Sequence, residues 1–269
     1  MRVTSKNNSK IKLIRSLHQR KYREQTGLFV VEGLHGVLEA LHHPERVEML
    51  VVSYDLLKSA RGYDAINRVA ASVPVLELDT TLFSSIMTRE KPHGIAAIVR
   101  QDWTPLENIC HLRVDSSSGE DLWVALCDVQ YPGNLGTILR TCDAVGAAGV
   151  ILLGEATDPY HPTAVRAGLS AYFTQHLVRA DYQQFTTWVM GSDYTLIGAS
   201  ADGAQYYRGS TYPLPLILMM GSEGHGINPA QRELCDGLVA IPMCGQNDSL
   251  NLAVATGVLL YEVIAQKQP

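Results

Sequence analysis

Residues 122–153 read LWVALCDVQYPGNLGTILRTCDAVGAAGVILL, and this stretch decides the fold class. Residues 122–129 are an apolar run of strand length, the pattern of a strand covered on both faces in a parallel sheet. The run stops at Gln130-Tyr131-Pro132-Gly133-Asn134, a turn by composition, after which 135–145 reads as a helix and 150–153 as a second apolar strand. Strand, turn, helix and strand in succession predict a βαβ unit, and so a parallel sheet with helices packed on it.

Downstream the alternation continues. A loop carries Asp158, Pro159 and Pro162, and then come a helix near 164–172, a strand near 177, a helix at 185–190 and strands at 194–199 and 214–220. Gly221-Ser222-Glu223-Gly224-His225-Gly226 follows, then a helix at 229–234, a strand at 238–243 and the segment IPMCGQNDSLNLAVATGVLLYE at 241–262. In that segment Pro242 and Gly245 stop the strand, and Asn247, Asp248 and Ser249 are good helix N-cap residues. The helix beyond them is apolar nearly all round, which predicts burial, and Ala253, Ala255, Thr256 and Gly257 allow close backbone approach. By itself this is a core helix with a polar cap. Polar or glycine-bearing loops nevertheless follow three of the apolar strands, and in open α/β sheets ligands bind beyond the carboxyl ends of the strands.

Upstream, strands at 28–31, 47–52, 75–78 and 94–99 alternate with helices at about 34–41, 55–71 and 80–87, which predicts a smaller α/β domain. The pattern lapses in QDWTPLENICHLRVDSSSGED at 101–121, where Ser116, Ser117, Ser118 and Gly119 mark a connection. The expected organisation is a domain at 1–105, a linker at 106–121 and a domain at 122–269.

With 46% apolar and 18% charged residues the composition is that of a globular protein. No apolar run reaches the ~18 residues of a membrane span, and the basic N-terminus lacks a signal-peptide core, so a cytoplasmic protein is expected. The five cysteines lack zinc-site spacing and are expected to be buried free thiols, with no metal bound. The net charge is −5, yet eight of the 22 basic residues and one of the 27 acidic ones fall in residues 1–25. A cationic segment on an acidic body is a footprint for a polyanion. Lys6, Lys10, Lys12, Arg15, Arg20, Lys21 and Arg23 are therefore candidate RNA contacts, while Ile11, Ile14 and Leu17 lie at helical spacing and would dock the segment on a core.

Several enzyme classes are unsupported. No G-x-G-x-x-G follows a strand, no G-x-x-x-x-G-K-[ST] exists, and no G-x-S-x-G elbow is present, which argues against nicotinamide-dependent, P-loop and serine-hydrolase chemistry.

Taken in order, DVQYPGNLGTILRTCDAVGAAGVILL, LILMMGSEGHGI and IPMCGQNDSLNLAVATGVLLYE resemble the three motifs of the SpoU/TrmH family of RNA ribose 2′-O-methyltransferases. The resemblance covers 122–266, and TSKNNSKIKLIRSLHQRKYREQTGLFVVEG looks like the substrate-binding domain that precedes the catalytic domain in members acting on large-subunit ribosomal RNA. It implies a catalytic parallel sheet closed by a C-terminal deep trefoil knot, S-adenosyl-L-methionine as cofactor, and a homodimer formed through the knotted domain. The motif side chains implied to act are Asn134, Arg140, Glu223, Ser249 and Asn251. The implied cofactor-lining residues are Gly198, Ala199 and Ser200; Met220, Gly221, Ser222 and Gly224; and Ile241, Pro242, Met243, Ser249 and Leu250. Two departures, Cys142 and the string Ala167-Gly168-Leu169-Ser170 after Arg166, spare those side chains. The reaction expected is in-line methyl transfer to a ribose 2′-oxygen, with transfer RNA as a second possible substrate and a non-catalytic ribosome-assembly factor as the contrasting reading. Asn134, Ser249 and Asn251 could equally cap helices, and Glu223 could pin its loop.

Overall fold

The computed structural model describes residues 2–3, 5–112, 122–203 and 205–267. The chain forms two compact units, residues 1–101 with 158–173 and residues 102–157 with 174–269.

In the first unit the strands are β1 (Arg2–Val3), β2 (Leu28–Glu32), β3 (Val47–Val52), β4 (Val75–Leu78) and β5 (Ile95–Arg100), in the order β1-β4-β3-β5-β2. β1, β4 and β3 run parallel, while β5 is antiparallel to both β3 and β2. Its helices, numbered along the whole chain, are α1 (Ser9–Ser16), α2 (Arg20–Thr26), α3 (Leu34–Ala40), α4 (Ala60–Val69), α5 (Thr80–Ser84) and α7 (Pro162–Gly168). The basic head is two helices rather than one. Asn8 caps α1 through its side chain, and Gly27 closes α2 in the left-handed conformation. Ile11, Ile14 and Leu17 are buried, as their spacing predicts. The helix expected from 55 starts only at Ala60, because Ser59 caps it there and residues 53–57 close a separate turn.

One basic side chain is not on the surface. Arg23 is 1% exposed, its Nε donates to Asp158 Oδ2 at 2.6 Å and its Nη1 donates to the Leu17 carbonyl at 2.7 Å. The expected RNA contact at Arg23 is therefore corrected: its charge is spent inside the unit. Around it Phe29, Tyr160 and Tyr172 pack ring against ring, with centroids 4.6 to 6.1 Å apart. This ion pair and aromatic cluster explain why residues 158–173, expected in the second domain, pack with the first unit instead.

The second unit contains β6 (Leu122–Cys127), α6 (Pro132–Val145), β7 (Gly149–Leu153), β8 (His176–Ala180), α8 (Tyr182–Met190), β9 (Thr195–Ala199), β10 (Gln205–Tyr206), β11 (Leu216–Met220), α9 (Pro229–Leu234), β12 (Gly237–Ala240) and α10 (Leu252–Lys267). The strands pair in the order β10-β12-β9-β11-β6-β7-β8, and every pairing is parallel. β6, β7 and β11 are buried at every residue, which is why they read as unbroken apolar runs. Helix starts are specified locally, by Pro132 at the first turn of α6 and by reciprocal capping boxes at Asp181/Gln184 and Asn228/Gln231. α10 packs along α6, with Thr256 buried and its hydroxyl donated to the Leu252 carbonyl.

Part of the expected linker is structure. Residues Leu106–Leu112 are a 3-10 helix, and Leu106 and Ile109 join the core formed by Trp123, Ile151, Phe185 and Met219. The stretch 113–121, with Ser116 to Gly119, lies outside the described residues. The cysteines also divide. Cys127 and Cys142 are buried and burial pushes both thiols up to about 12, whereas Cys110 and Cys244 are exposed, contrary to expectation.

Candidate active site at the ends of four adjacent strands

β12, β9, β11 and β6 are consecutive in the sheet, so the loops that leave their carboxyl ends are neighbours. The register is specific: Ala199 pairs with both Met220 and Val239, and Met220 pairs with Leu126. The expected cofactor-lining residues on β9 and β11, and the loop after β12, therefore share one edge of the sheet.

The loop after β11 is pinned by its own backbone. Ser222 and Gly226 exchange hydrogen bonds of 3.1 and 3.0 Å, and a Cβ at Gly221 would overlap the Gly226 carbonyl, so only glycine fits there. Gly198 is likewise a packing glycine, since a Cβ would approach Cys235, Ile227 and Leu238 to within 2.9 Å. Ser200 donates its amide to the Val239 carbonyl at 3.0 Å and accepts from Gly203, which closes the turn after β9. Met220 is buried, and Gly224 is open.

Three of the predicted side chains meet. Glu223 accepts from the Gln130 amide through Oε2 at 2.9 Å, and from the Tyr131 amide and Asn134 Nδ2 through Oε1, both at 3.2 Å. Asn134 Oδ1 then accepts from Asn251 Nδ2 at 3.0 Å, and Asn251 Oδ1 accepts from the Ala253 and Val254 amides at 2.9 and 3.4 Å. Chemistry fixes both amide orientations. Glu223 as a carboxylate and the α10 amides as donors leave each asparagine one arrangement that satisfies both its neighbours. The chain thus runs from the β6 loop through Glu223, Asn134 and Asn251 to the first turn of α10. Asn134 lies inside α6 and does not cap it, whereas Asn251 does cap α10. The caps expected at Asn247, Asp248 and Ser249 lie too early.

Arg140 stands outside this chain. It is exposed, two turns along α6 from Asn134, and among the described residues its guanidinium has no hydrogen-bond or ion-pair partner. Ser249 is also exposed and, among the described residues, unpartnered. From 241 to 250 the backbone makes no hydrogen bond to any described residue, which leaves a row of amides and carbonyls beside Ile241, Met243 and Leu250. Free donors and acceptors next to apolar side chains suit a nucleoside-bearing ligand with both polar edges and a hydrophobic arm.

Two contributors were missed from sequence. Asp128 holds a left-handed φ of 48° at the exit of β6, accepts from the Glu155 amide at 2.8 Å and accepts from the Tyr182 hydroxyl at 2.7 Å. Burial, with Asp128 beside it, pushes that phenol well up. Gln130 Nε2 donates to the carbonyls of Asp128 and Glu155, both at 3.0 Å. The signal was present, since aspartate tolerates that backbone region and here directly follows a buried strand.

The fold is a parallel-sheet α/β architecture, and the loops after β6, β9, β11 and β12 form its candidate site. The sequence pattern of the SpoU rRNA methylase family matches residues 121–261, and that of the MRM3-like substrate binding domain matches residues 8–97. The chain belongs to the SpoU rRNA methylase family, and it is an S-adenosylmethionine-dependent RNA ribose methyltransferase. It is 27% identical to the 23S rRNA (guanosine(2553)-2′-O)-methyltransferase RlmP of Bacillus subtilis (strain 168), over 97% of this chain and 98% of that one. It is 30% identical to the 23S rRNA (uridine(2479)-2′-O)-methyltransferase of Streptomyces viridochromogenes, over 99% and 92% of the two chains. The crystal structure of an AdoMet-bound rRNA methyltransferase from Sinorhizobium meliloti superposes with a TM-score of 0.88 at 33% identity, covering 100% of this chain and 99% of that one.

Proposed function

We propose that the protein methylates a ribose 2′-hydroxyl of large-subunit ribosomal RNA, in the cytoplasm and as a homodimer. Bound S-adenosylmethionine supplies an activated methyl group. The residues that would hold it are the 241–250 backbone, Gly221-Ser222 and the turn at Ser200, with Met243 and Leu250 as apolar lining.

The observation that carries the reading is a contrast within one site: Glu223, Asn134 and Asn251 are tied together, while Arg140 is free. A tied network fixes the groove, and a free guanidinium serves an anionic group that arrives with the substrate. Arg140 is a poor base, because a guanidinium stays protonated in proteins. Its role is to hold a phosphate next to the target ribose and to stabilise the 2′-oxygen as its proton leaves to a phosphate oxygen or water. Ser249, exposed in the segment after β12, belongs to the same reading as a side chain that meets the substrate.

The MRM3-like unit at 8–97, with Lys6 just before it, supplies RNA contacts away from the reacting nucleotide, through Lys6, Lys10, Lys12, Arg15, Arg20 and Lys21. Tyr131, Val254 and Tyr261 are 63, 52 and 58% exposed on or beside α6 and α10, an apolar face suited to a second copy. The knot, with the 241–251 segment threaded beneath an earlier loop, belongs to the same reading. Among the described residues no helix is long and apolar enough to cross a membrane, and no cluster of His, Cys, Asp and Glu could hold a metal.

The test is methyl transfer from radiolabelled S-adenosylmethionine to 23S rRNA and, separately, to bulk tRNA, followed by alkaline hydrolysis. Label retained in an alkali-resistant dinucleotide from 23S rRNA is expected, because a 2′-O-methyl group blocks cleavage. Label on tRNA alone, or none on either RNA, overturns the substrate assignment. Sedimentation of the protein as a monomer overturns the dimer.

A further inference from the structure

The first unit holds a cavity of about 430 Å³ that the methyl-transfer site does not use. Its floor is apolar, with Val31, Leu34, Leu38, Val165 and Leu169, and its cationic side chains are Arg61, Arg89 and Arg166, beside His35 and His93. Among the described residues none of the three guanidiniums has an ion-pair or hydrogen-bond partner, and Arg89 Nε is shut from solvent with its donor unused. The only carboxylate in the lining is Glu32, and it is already committed: it accepts from the Thr88 amide and hydroxyl, both at 2.8 Å, and from the Arg89 amide at 3.2 Å. Glu32 thereby fixes the backbone that carries Arg89. Gly33, at φ +95°, leaves room for the Arg89 guanidinium and the His93 ring, 3.5 and 3.6 Å from where its Cβ would stand. An adjoining hollow shares His35, Leu38 and Arg61 and adds Glu39, Asp64 and Arg68, so the excess of positive charge is concentrated in the first cavity.

Three unpaired guanidiniums around one cavity repel one another and call for an anion with several oxygens. A cavity of this size with an apolar floor also admits a flat ring. Both requirements are met by an unstacked nucleotide of an RNA strand, whose base rests on the apolar floor while its phosphate meets the arginines. We propose that this cavity binds one unpaired nucleotide of the substrate RNA, away from the nucleotide that is methylated. The inference rests on RNA being the substrate. It also moves part of the RNA footprint from the N-terminal helices to residues distant in the chain, such as Arg61 and Arg166, which are 105 positions apart.

The test uses the full chain and a labelled, unpaired oligoribonucleotide, titrated across a range of salt concentrations. Arg61→Gln and Arg166→Gln are the variants, since both side chains are exposed and neither has a partner to lose. Each is expected to weaken binding about tenfold at low salt and to flatten the salt slope by ~0.7, the contribution of one phosphate contact to a single strand. S-adenosylmethionine affinity should be unchanged in both, which confirms folding. Unaltered oligonucleotide affinity and slope in both variants would overturn the inference while leaving the methyltransfer reading intact. So would equal binding of a blunt duplex by the unaltered protein, or saturation by free AMP at micromolar concentration, since either assigns the cavity to another ligand. Failure of the unaltered protein to bind RNA at all strikes the methyltransfer reading first, so the two failures are distinguishable.

Discussion

Two polar bridges span long stretches of this chain, and they serve opposite ends. In the first unit Arg23 reaches Asp158 across 135 residues at 2.6 Å, in the dry interior. In the second, Asn251 reaches Asn134 across 117 residues at 3.0 Å, and Asn134 reaches Glu223, at a surface open to ligand. Burial separates the two. A charge pair out of water cannot exchange partners, so it specifies packing; a part-exposed amide and carboxylate can hold a loop in one shape and still meet a substrate. The arginines follow the same division: Arg23 is committed to the fold, and Arg140 is exposed with no partner among the described residues.

The largest effect should come from the buried bridge. Asp158→Ala strands the Arg23 charge in the interior, for an expected loss of ~3–5 kcal/mol of stability. Urea denaturation should show it as a large fall in midpoint. The double variant Arg23→Met, Asp158→Leu should regain most of the loss, since apolar residues of similar volume replace such pairs well. A single variant as stable as the parent would show that the pair is not the dry contact described, and the comparison would collapse.

The exposed arginine should behave in the reverse way. Arg140→Ala is expected to leave stability within ~0.5 kcal/mol, while turnover drops ~10²–10³-fold, the cost of one donor aimed at developing charge. Arg140→Lys should recover little of that, because an ammonium cannot grip a phosphate with a planar fork. Near-normal turnover for the lysine variant would count against bidentate binding. Glu223→Gln lies between the two. Glutamine offers one acceptor oxygen where the carboxylate offers two, so at least one of Gln130, Tyr131 and Asn134 loses its bond. A turnover loss of ~10–100-fold follows from the ~1.5–3 kcal/mol typical of a hydrogen bond to a charged group. Its melting temperature should fall by no more than the few degrees that one such bond is worth, and a larger drop with cofactor binding lost as well would mark Glu223 as architecture only.

How much of this was legible follows from the same division. Strands β6 and β7 read out closely because buried parallel strands are apolar throughout, β3 and β4 because Glu48 and Glu77 are the only charged residues in otherwise apolar runs, and α9 because Asn228 and Pro229 mark its start. The motif residues could be named from the order of their loops, yet their bonding could not. Asn134 looked as much like a cap as a ligand, and only its place within α6 and its bonds to Glu223 and Asn251 decide. The fate of Arg23 was hidden because its partner lies 135 residues away, and local charge patterning carries no information about distant acids. That residues 158–173 cluster with the first unit was hidden for the same reason, since Phe29 and Tyr160 meet only in the folded chain. The arginines of the cavity are likewise scattered along the sequence, so no run of basic residues announces them.

The smallest effect tests the surroundings of the buried bridge. His161 Nδ1 accepts from the Thr163 amide at 3.1 Å and so caps α7, a role open only to a ring nitrogen without a proton. Its pKa is lowered from the ordinary 6.5, first by burial and then by Arg23, with Asp158 pulling the other way and Arg166 adding the smallest push down. A base whose pKa is lower folded than unfolded favours the folded chain only while it is neutral. Its contribution is therefore intact above about pH 6.5 and declines as pH falls from there through the folded value. Asparagine can cap a helix but does not titrate. His161→Asn should then match the parent in urea midpoint at pH 7.5 and exceed it at pH 5.5. A parallel decline of the two proteins would show that His161 does not feel the Arg23 charge, and that the dry region ends short of α7.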